Sequence, residues 1–125
     1  MRPKSPTLTE QELEIMKIVW AREVATVRDV YEALLERRKI AYTTVMTMMK
    51  ILEQKKYLLK TQEDRAHIYR PAKPKNQVIK GMVREFVNRV FNGSAEPLLV
   101  HLIEDRRLSR KDLEEIAHMI RRKEA

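Results

Sequence analysis

Residues 41–71 read AYTTVMTMMKILEQKKYLLKTQEDRAHIYRP, and the spacing of their apolar residues changes once along the way. From Ala41 to Lys55 the spacing is helical. At about 100° per residue, Val45, Met48, Met49 and Leu52 share one core-facing sector. Thr43, Thr47, Lys50 and Gln54 fall on the opposite side, flanked by Met46 and Thr44. β-Branched and aromatic side chains lose χ1 freedom against the preceding helical turn. Tyr42 and the three threonines therefore serve something other than helix formation. From Tyr57 to Thr61 the pattern is that of a strand. QEDRA (62–66) reads as a charged turn, and His67 to Arg70 as the returning strand, stopped by Pro71.

Towards the N-terminus, Thr9-x-x-Glu12 is a capping box, and Leu8 can staple onto Leu13. Leu13, Met16 and Trp20 form one stripe with Val19 at its edge. Ile15 and Ile18 lie outside it and call for a second covered surface. A second helix begins at Thr26, with Asp29 three residues on. Its stripe is Val27, Val30, Tyr31, Leu34 and Leu35, and it is expected to end in Arg37, Arg38 and Lys39, which complement a helix C-terminus. Three short helices followed by one hairpin is the element order of a winged helix-turn-helix, the hairpin closing a core too small for the helices alone.

Beyond it, PAKPKN (71–76) reads as a Pro-punctuated joint. The expected division is a winged-helix DNA-binding domain over 1–72 and a helical dimerisation module over 73–125, mainly α with one small β-hairpin overall. A long amphipathic helix from Val78 stops at Asn92-Gly93. Ser94 is expected to cap a helix running to Asp105, and Ser109-x-x-Asp112 to cap the last, with Leu113, Ile116, Ala117 and Ile120 inward. The apolar band on the long helix is broader than two short helices can cover. Two copies could bury it mutually in an isologous homodimer. The expected seam comprises Val78, Met82, Val83, Phe86, Val87, Val90, Phe91, Leu99, Leu102, Leu113, Ile116 and Ile120.

Composition narrows the function. The chain has 125 residues, enough for one domain with an appended module. With two glycines and no cysteine, it offers neither Gly-rich phosphate loops nor thiolate chemistry. No apolar run approaches the roughly 18 residues that span a bilayer, so a soluble cytoplasmic protein with no membrane partner is expected. His67, His101 and His118 have no ligand-like spacing, and no nucleophile motif or carboxylate pair converges. No metal, no cofactor and no enzymatic activity are expected. The net charge of +8 suits a polyanionic partner, but its even division about Ala72 does not localise that partner.

A helix-turn-helix reads double-stranded DNA by placing the N-terminal half of its second helix in the major groove. Short Thr43, Thr44 and Thr47 would let the backbone approach base edges, Met46 can touch thymine methyls, and Lys50 and Arg65 are placed for phosphate, Arg65 at the wing tip. Two other functions fit the same chain: a helical adaptor that binds a protein partner through its C-terminal stripe, the winged helix being purely structural, or a non-specific architectural DNA-binding protein.

The ordered segments LTEQELEIMKIVW (8–20), TVRDVYEAL (26–34), AYTTVMTMMKILEQKKYL (41–58), RAHIYRP (65–71) and LSRKDLEEI (108–116) resemble the penicillinase-repressor family of bacterial regulators. The resemblance runs from Leu8 to about Arg122. It implies a homodimeric transcriptional repressor sitting on an inverted-repeat operator, and release when a membrane sensor triggers proteolysis, so a sensor-controlled protease is an implied partner. On the matching positions it places Thr44, Met46 and Thr47 at bases, and Tyr42, Thr43 and Lys50 near the DNA backbone. Three departures are visible. The family's Asn-Phe cleavage site aligns with His101-Leu102; the C-terminal cysteines of copper-responsive members are absent; and Lys56 stands where many members carry a glycine.

Overall fold

The computed structural model describes residues 7–124. It forms two compact units that meet between Met82 and Val83.

The first unit opens with α1 (Glu10–Arg22) and α2 (Val27–Leu35), each started by a closed capping box. The hydroxyl oxygens of Thr9 and Thr26 accept from the amides of Glu12 and Asp29, and those two carboxylates accept in return from the amides of Thr9 and Thr26. The Thr26 amide, and less so the nearby Arg22, hold the Asp29 carboxyl below its ordinary value. α1 buries Glu12, Ile15, Met16 and Val19, while Leu13, Ile18 and Trp20 are half-buried. The buried line is thus turned from the expected Leu13–Met16–Trp20 stripe, because α1 is packed by α2, α3 (Tyr42–Gln54) and the second strand of the hairpin. α2 buries Val27, Val30 and Leu34 but leaves Leu35 43% exposed. It closes early: the amides of Arg37 and Arg38 both donate to Leu34 O, so the basic cluster lies outside the helix. The Arg38 guanidinium instead reaches Glu14 of α1 at 2.7 Å.

α3 buries Val45, Met49 and Leu52, with Met48 half-buried, as its period requires. It ends in a Schellman motif. Lys55 is the C-cap, the Lys56 amide donates to Glu53 O at 3.0 Å and the Tyr57 amide to Leu52 O at 2.9 Å. Lys56 holds the left-handed φ of 70° that this corner demands. The chain then enters β1 (Leu58–Glu63), which pairs antiparallel with β2 (Ala66–Pro71). The turn is tighter than the five residues QEDRA. Glu63 pairs with Ala66, leaving Asp64 and Arg65 at φ of 46° and 69°, the two positive angles of a type I′ turn. Ala25 adds a one-residue third strand, exchanging both backbone hydrogen bonds with Tyr69 at 3.0 and 2.8 Å.

The Pro-rich stretch is fastened rather than free. The Trp20 indole N–H donates to Lys73 O at 3.0 Å, the Ala72 amide to Tyr57 O at 2.8 Å, and the Lys73 ammonium sits 4.5 Å over the Tyr57 ring. α4 (Lys75–Phe91) starts here, and its first turns complete the core: Val78 is buried in it and Met82 packs against it. The unit boundary therefore falls inside α4 and not after Ala72. Val78 and Met82, expected in a dimer seam, are committed to the first unit.

The second unit holds the rest of α4, α5 (Glu96–Glu104) and α6 (Arg110–Glu124). α4 closes through the Gly93 amide, which donates to Val87 O at 3.1 Å with Gly93 at φ 89°. α5 is not capped by Ser94. Its N-cap is Ala95, with no side-chain bond and Pro97 in the first turn, where a missing N–H leaves nothing unsatisfied. Ser109 and Asp112 form the expected box on α6, and the Ser109 amide and hydroxyl hold the exposed Asp112 carboxyl below its ordinary value. Phe91 lies against Phe86 edge-on and against His101, each with ring centroids 5.9 Å apart. Neither α5 nor α6 buries a residue within the chain. Val87 is buried; Phe91, Leu102, Leu113 and Ala117 are half-buried; Val83, Phe86, Val90, Leu99, Ile116 and Ile120 are exposed, and so are Val100, Ile103 and Met119. Among the described residues no helix is long and apolar enough to cross a membrane.

Candidate nucleic-acid interface

The helical period that sinks Val45, Met49 and Leu52 leaves Tyr42, Thr43, Thr44, Met46, Thr47 and Lys50 exposed on α3. Beside this face, strand period two sets the wing. The register Leu58↔Pro71, Lys60↔Tyr69 and Gln62↔His67 puts Lys60 and His67 on the same side as buried Leu58 and Tyr69. Between α3 and the wing lies a cleft of about 500 Å³. Tyr42, Met46, Thr47 and Lys50 line it from α3, Thr26, Val27 and Arg28 from the start of α2, and Lys60, Ala66, His67 and Tyr69 from the wing. None of these described lining residues is acidic.

Tyr42 is oriented by two contacts. Its ring meets Tyr31 edge-on at 5.4 Å, and the Arg28 guanidinium stands 5.9 Å from its centroid. Such a stack limits where the guanidinium can go. At the base of the cleft, burial and then the neighbouring Glu53 carboxylate raise the Tyr69 phenol above its ordinary 10.0, keeping it a neutral hydroxyl. Glu53 also lies 3.7 Å from the Lys60 ammonium, tying the last turn of α3 to β1.

The cleft thus brings together Tyr42, Met46, Thr47 and Lys50. Thr43 and Thr44 are exposed on the same helix but do not line it, and Arg65 stands at the wing tip in the turn. Sequence reasoning missed Arg28, Lys60 and His67. Strand alternation carried a signal for two of them, since Lys60 and His67 are each two residues from a buried side chain, Leu58 and Tyr69. Arg28 was hidden by treating α2 only as an apolar stripe. Among the described residues no group of three or more His, Asp or Glu side chains is placed to hold a metal ion.

Three helices, a hairpin wing with a third strand from Ala25, and a cleft with no acidic residue among its described lining, beside the exposed face of α3, define a winged helix-turn-helix of the DNA-binding class. The chain belongs to the penicillinase-repressor family, whose profile, described as Penicillinase repressor, matches residues 8–122. It is 40% identical over 103 residues to the transcriptional regulator BlaI of Mycobacterium tuberculosis, covering 81% of this chain and 75% of that one. It is 27% identical over 117 residues to the penicillinase repressor of Bacillus licheniformis, covering 94% and 91%. It is similar in structure to Bacillus licheniformis BlaI, solved as a monomeric form in complex with the blaP half-operator. There the TM-score is 0.51 and the identity 27%, over 58% of this chain and 89% of that one.

Proposed function

We propose that the chain is a homodimeric transcriptional repressor that binds an inverted-repeat operator in the cytoplasm and has no catalytic activity. In this reading residues 7–82 read DNA, and the second unit joins two copies. Thr44, Met46 and Thr47 meet base edges; Tyr42, Thr43, Lys50 and Arg65 meet the sugar–phosphate backbone, joined by Arg28, Lys60 and His67. The observation that carries the reading is the exposed threonine face of α3 beside a cleft whose charged lining is entirely basic. Short side chains permit close approach to bases, while the surrounding cations suit phosphate. The half-operator complex of a relative supports the DNA assignment. Exposed Phe86, Val90 and Ile120, at 40%, 48% and 53%, support the dimer, because a lone chain would leave this apolar band in water.

Release by a signal-dependent event completes the proposal, with a sensor-controlled protease as partner. The His101–Leu102 bond lies inside α5, so a protease would need that helix to open. Within one chain α5 has no buried residue, so what opposes its opening is its cover in the dimer.

Gel shifts with the region upstream of the chain's own gene and with a random duplex, each across a salt series, test the function. A repressor prefers the upstream duplex at every salt concentration, and affinity for both duplexes falls as salt rises. A shift indifferent to sequence means an architectural protein, and no shift means an adaptor. Either result overturns the proposal.

A further inference from the structure

Glu12 is the one buried charged residue in the core among the described residues, and its partner is on the DNA-reading helix. The Lys55 ammonium donates to Glu12 Oε1 at 2.8 Å and to Thr7 O at 3.1 Å, with the two side chains only 9% and 7% exposed. The same Oε1 accepts the Thr9 amide at 2.8 Å, so one oxygen both caps α1 and holds Lys55. Lys55 is the C-cap of α3. Lys56 turns the chain, and Tyr57 and Leu58 enter the core as the wing begins. The exposed face of α3 and the wing therefore diverge from the residue that this ion pair pins. At its other end α3 has no polar anchor: its N-cap is Ala41, with no side-chain hydrogen bond, and its first turns are held by the buried Val45 and by the Tyr42 ring against Tyr31.

We propose that Glu12 and Lys55 are positioning residues for DNA reading, their buried pair fixing the pose of α3 and the wing on α1 so that the threonine face meets the bases in register. The proposal rests on the operator-binding function above. Apolar packing of Val45 and Met49 keeps α3 in the core, while the directional 2.8 Å ion pair at its C-terminus sets its tilt. At 1.5 Å rise per residue, Thr47 and Thr44 lie about 12 and 16 Å from Lys55 along the axis. A tilt of roughly 5° would move Thr44 by about 1.4 Å, well beyond the few tenths of an ångström over which a hydrogen bond keeps its strength. Phosphate contacts made by long, mobile lysines and arginines follow such a shift, whereas threonine contacts to base edges do not. Disturbing the pair should therefore erode discrimination between sequences, with little effect on general DNA affinity. The Lys55 ammonium is spent on Glu12 and its side chain is only 9% exposed, so its removal releases no fewer counterions.

The test uses the full-length protein, Lys55→Met, and the double variant Glu12→Gln/Lys55→Met, in which the amide oxygen can still cap α1 and no charge is left buried alone. Affinity is measured for the upstream and random duplexes, well below each variant's unfolding temperature. In both variants the preference for the upstream duplex should fall about tenfold, the worth of one good base contact, with the salt slope unchanged. In the double variant thermal stability should return towards that of the parent while the lost preference does not. If the preference is unchanged, or recovers along with stability, the pair is purely structural and the proposal fails. Should Lys55→Met not fold, the double variant alone decides. If the parent itself shows no preference, the operator-binding function fails instead, which the parent's own titration reveals before any variant is compared.

Discussion

Lys56 carries the clearest local conflict between residue and position. The Schellman corner after α3 needs a left-handed residue, and a lysine at φ 70° meets its Cβ clash with the following carbonyl. Lys56→Gly should remove that strain, worth about 1–2 kcal/mol. The added freedom of glycine in the unfolded chain offsets about 0.5–1 kcal/mol of it. A net gain in stability is expected, read as a rise of a few degrees in Tm with unchanged DNA binding; a fall would mean the lysine side chain holds the corner. Glu12 predicts the response to acid. Burial pushes its carboxyl up, but the Lys55 ammonium, the Thr9 amide and the Thr9 hydroxyl together outweigh burial and hold it below the ordinary 4.5. A carboxyl depressed in the folded state contributes stability in full above its unfolded value, and loses it as pH falls through the lower folded one. Urea midpoints should thus drop between about pH 5 and pH 3 more steeply in the parent than in Glu12→Gln. Parallel declines would show that the pair does not drive the acid response.

At the scale of elements, α3 and the wing divide the labour of binding. Thr44→Ala and Thr47→Ala should weaken the upstream duplex by about 1–3 kcal/mol per contact and leave the random duplex nearly untouched. Lys50→Ala and Arg65→Ala should weaken both, each lowering the slope of log K against log salt by about one. Equal losses on both duplexes for the threonines, or an unchanged slope for the cations, would remove those residues from the interface. Much of this architecture was legible because its signals are local. Thr9 with Glu12, Thr26 with Asp29 and Ser109 with Asp112 each announce a helix start within four residues, and Val45, Met49 and Leu52 fix the buried side of α3. What escaped is made without side chains or at a distance. Ala25 joins the sheet through two backbone hydrogen bonds that any residue could make. The two-residue turn at Asp64–Arg65 lacks the glycine that marks such turns, and Arg28 reaches the cleft only once α2 and α3 are packed.

Over the whole molecule, the band on the second unit is the feature with the largest expected consequence. Phe86→Asp and Val90→Asp would each set an unpaired carboxylate among apolar side chains. That costs several kcal/mol, more than the roughly 1.5–3 kcal/mol one such residue returns by burial. The variants should sediment as monomers with the first unit still folded, and should lose affinity for a full inverted repeat far more than for a half-site, because two tethered contacts become one. Variants that stay dimeric and bind normally would assign the band to another partner. The sequence pattern found this band but could not say where it begins, because Val78 and Met82 have the same spacing as Phe86 and Val90 while serving a different core.

That shared helix bears on where the chain can be cut. A fragment ending at Ala72, at the Pro-rich stretch that looks like a natural seam, would discard Val78 and Met82 and open the floor of the winged helix to water. A fragment that keeps the first unit whole must extend into α4 as far as Met82. Limited digestion with trypsin should accordingly spare Lys75 and Lys80 and cut first at Arg106, Arg107 or Arg110, between the last two helices, where the chain is exposed.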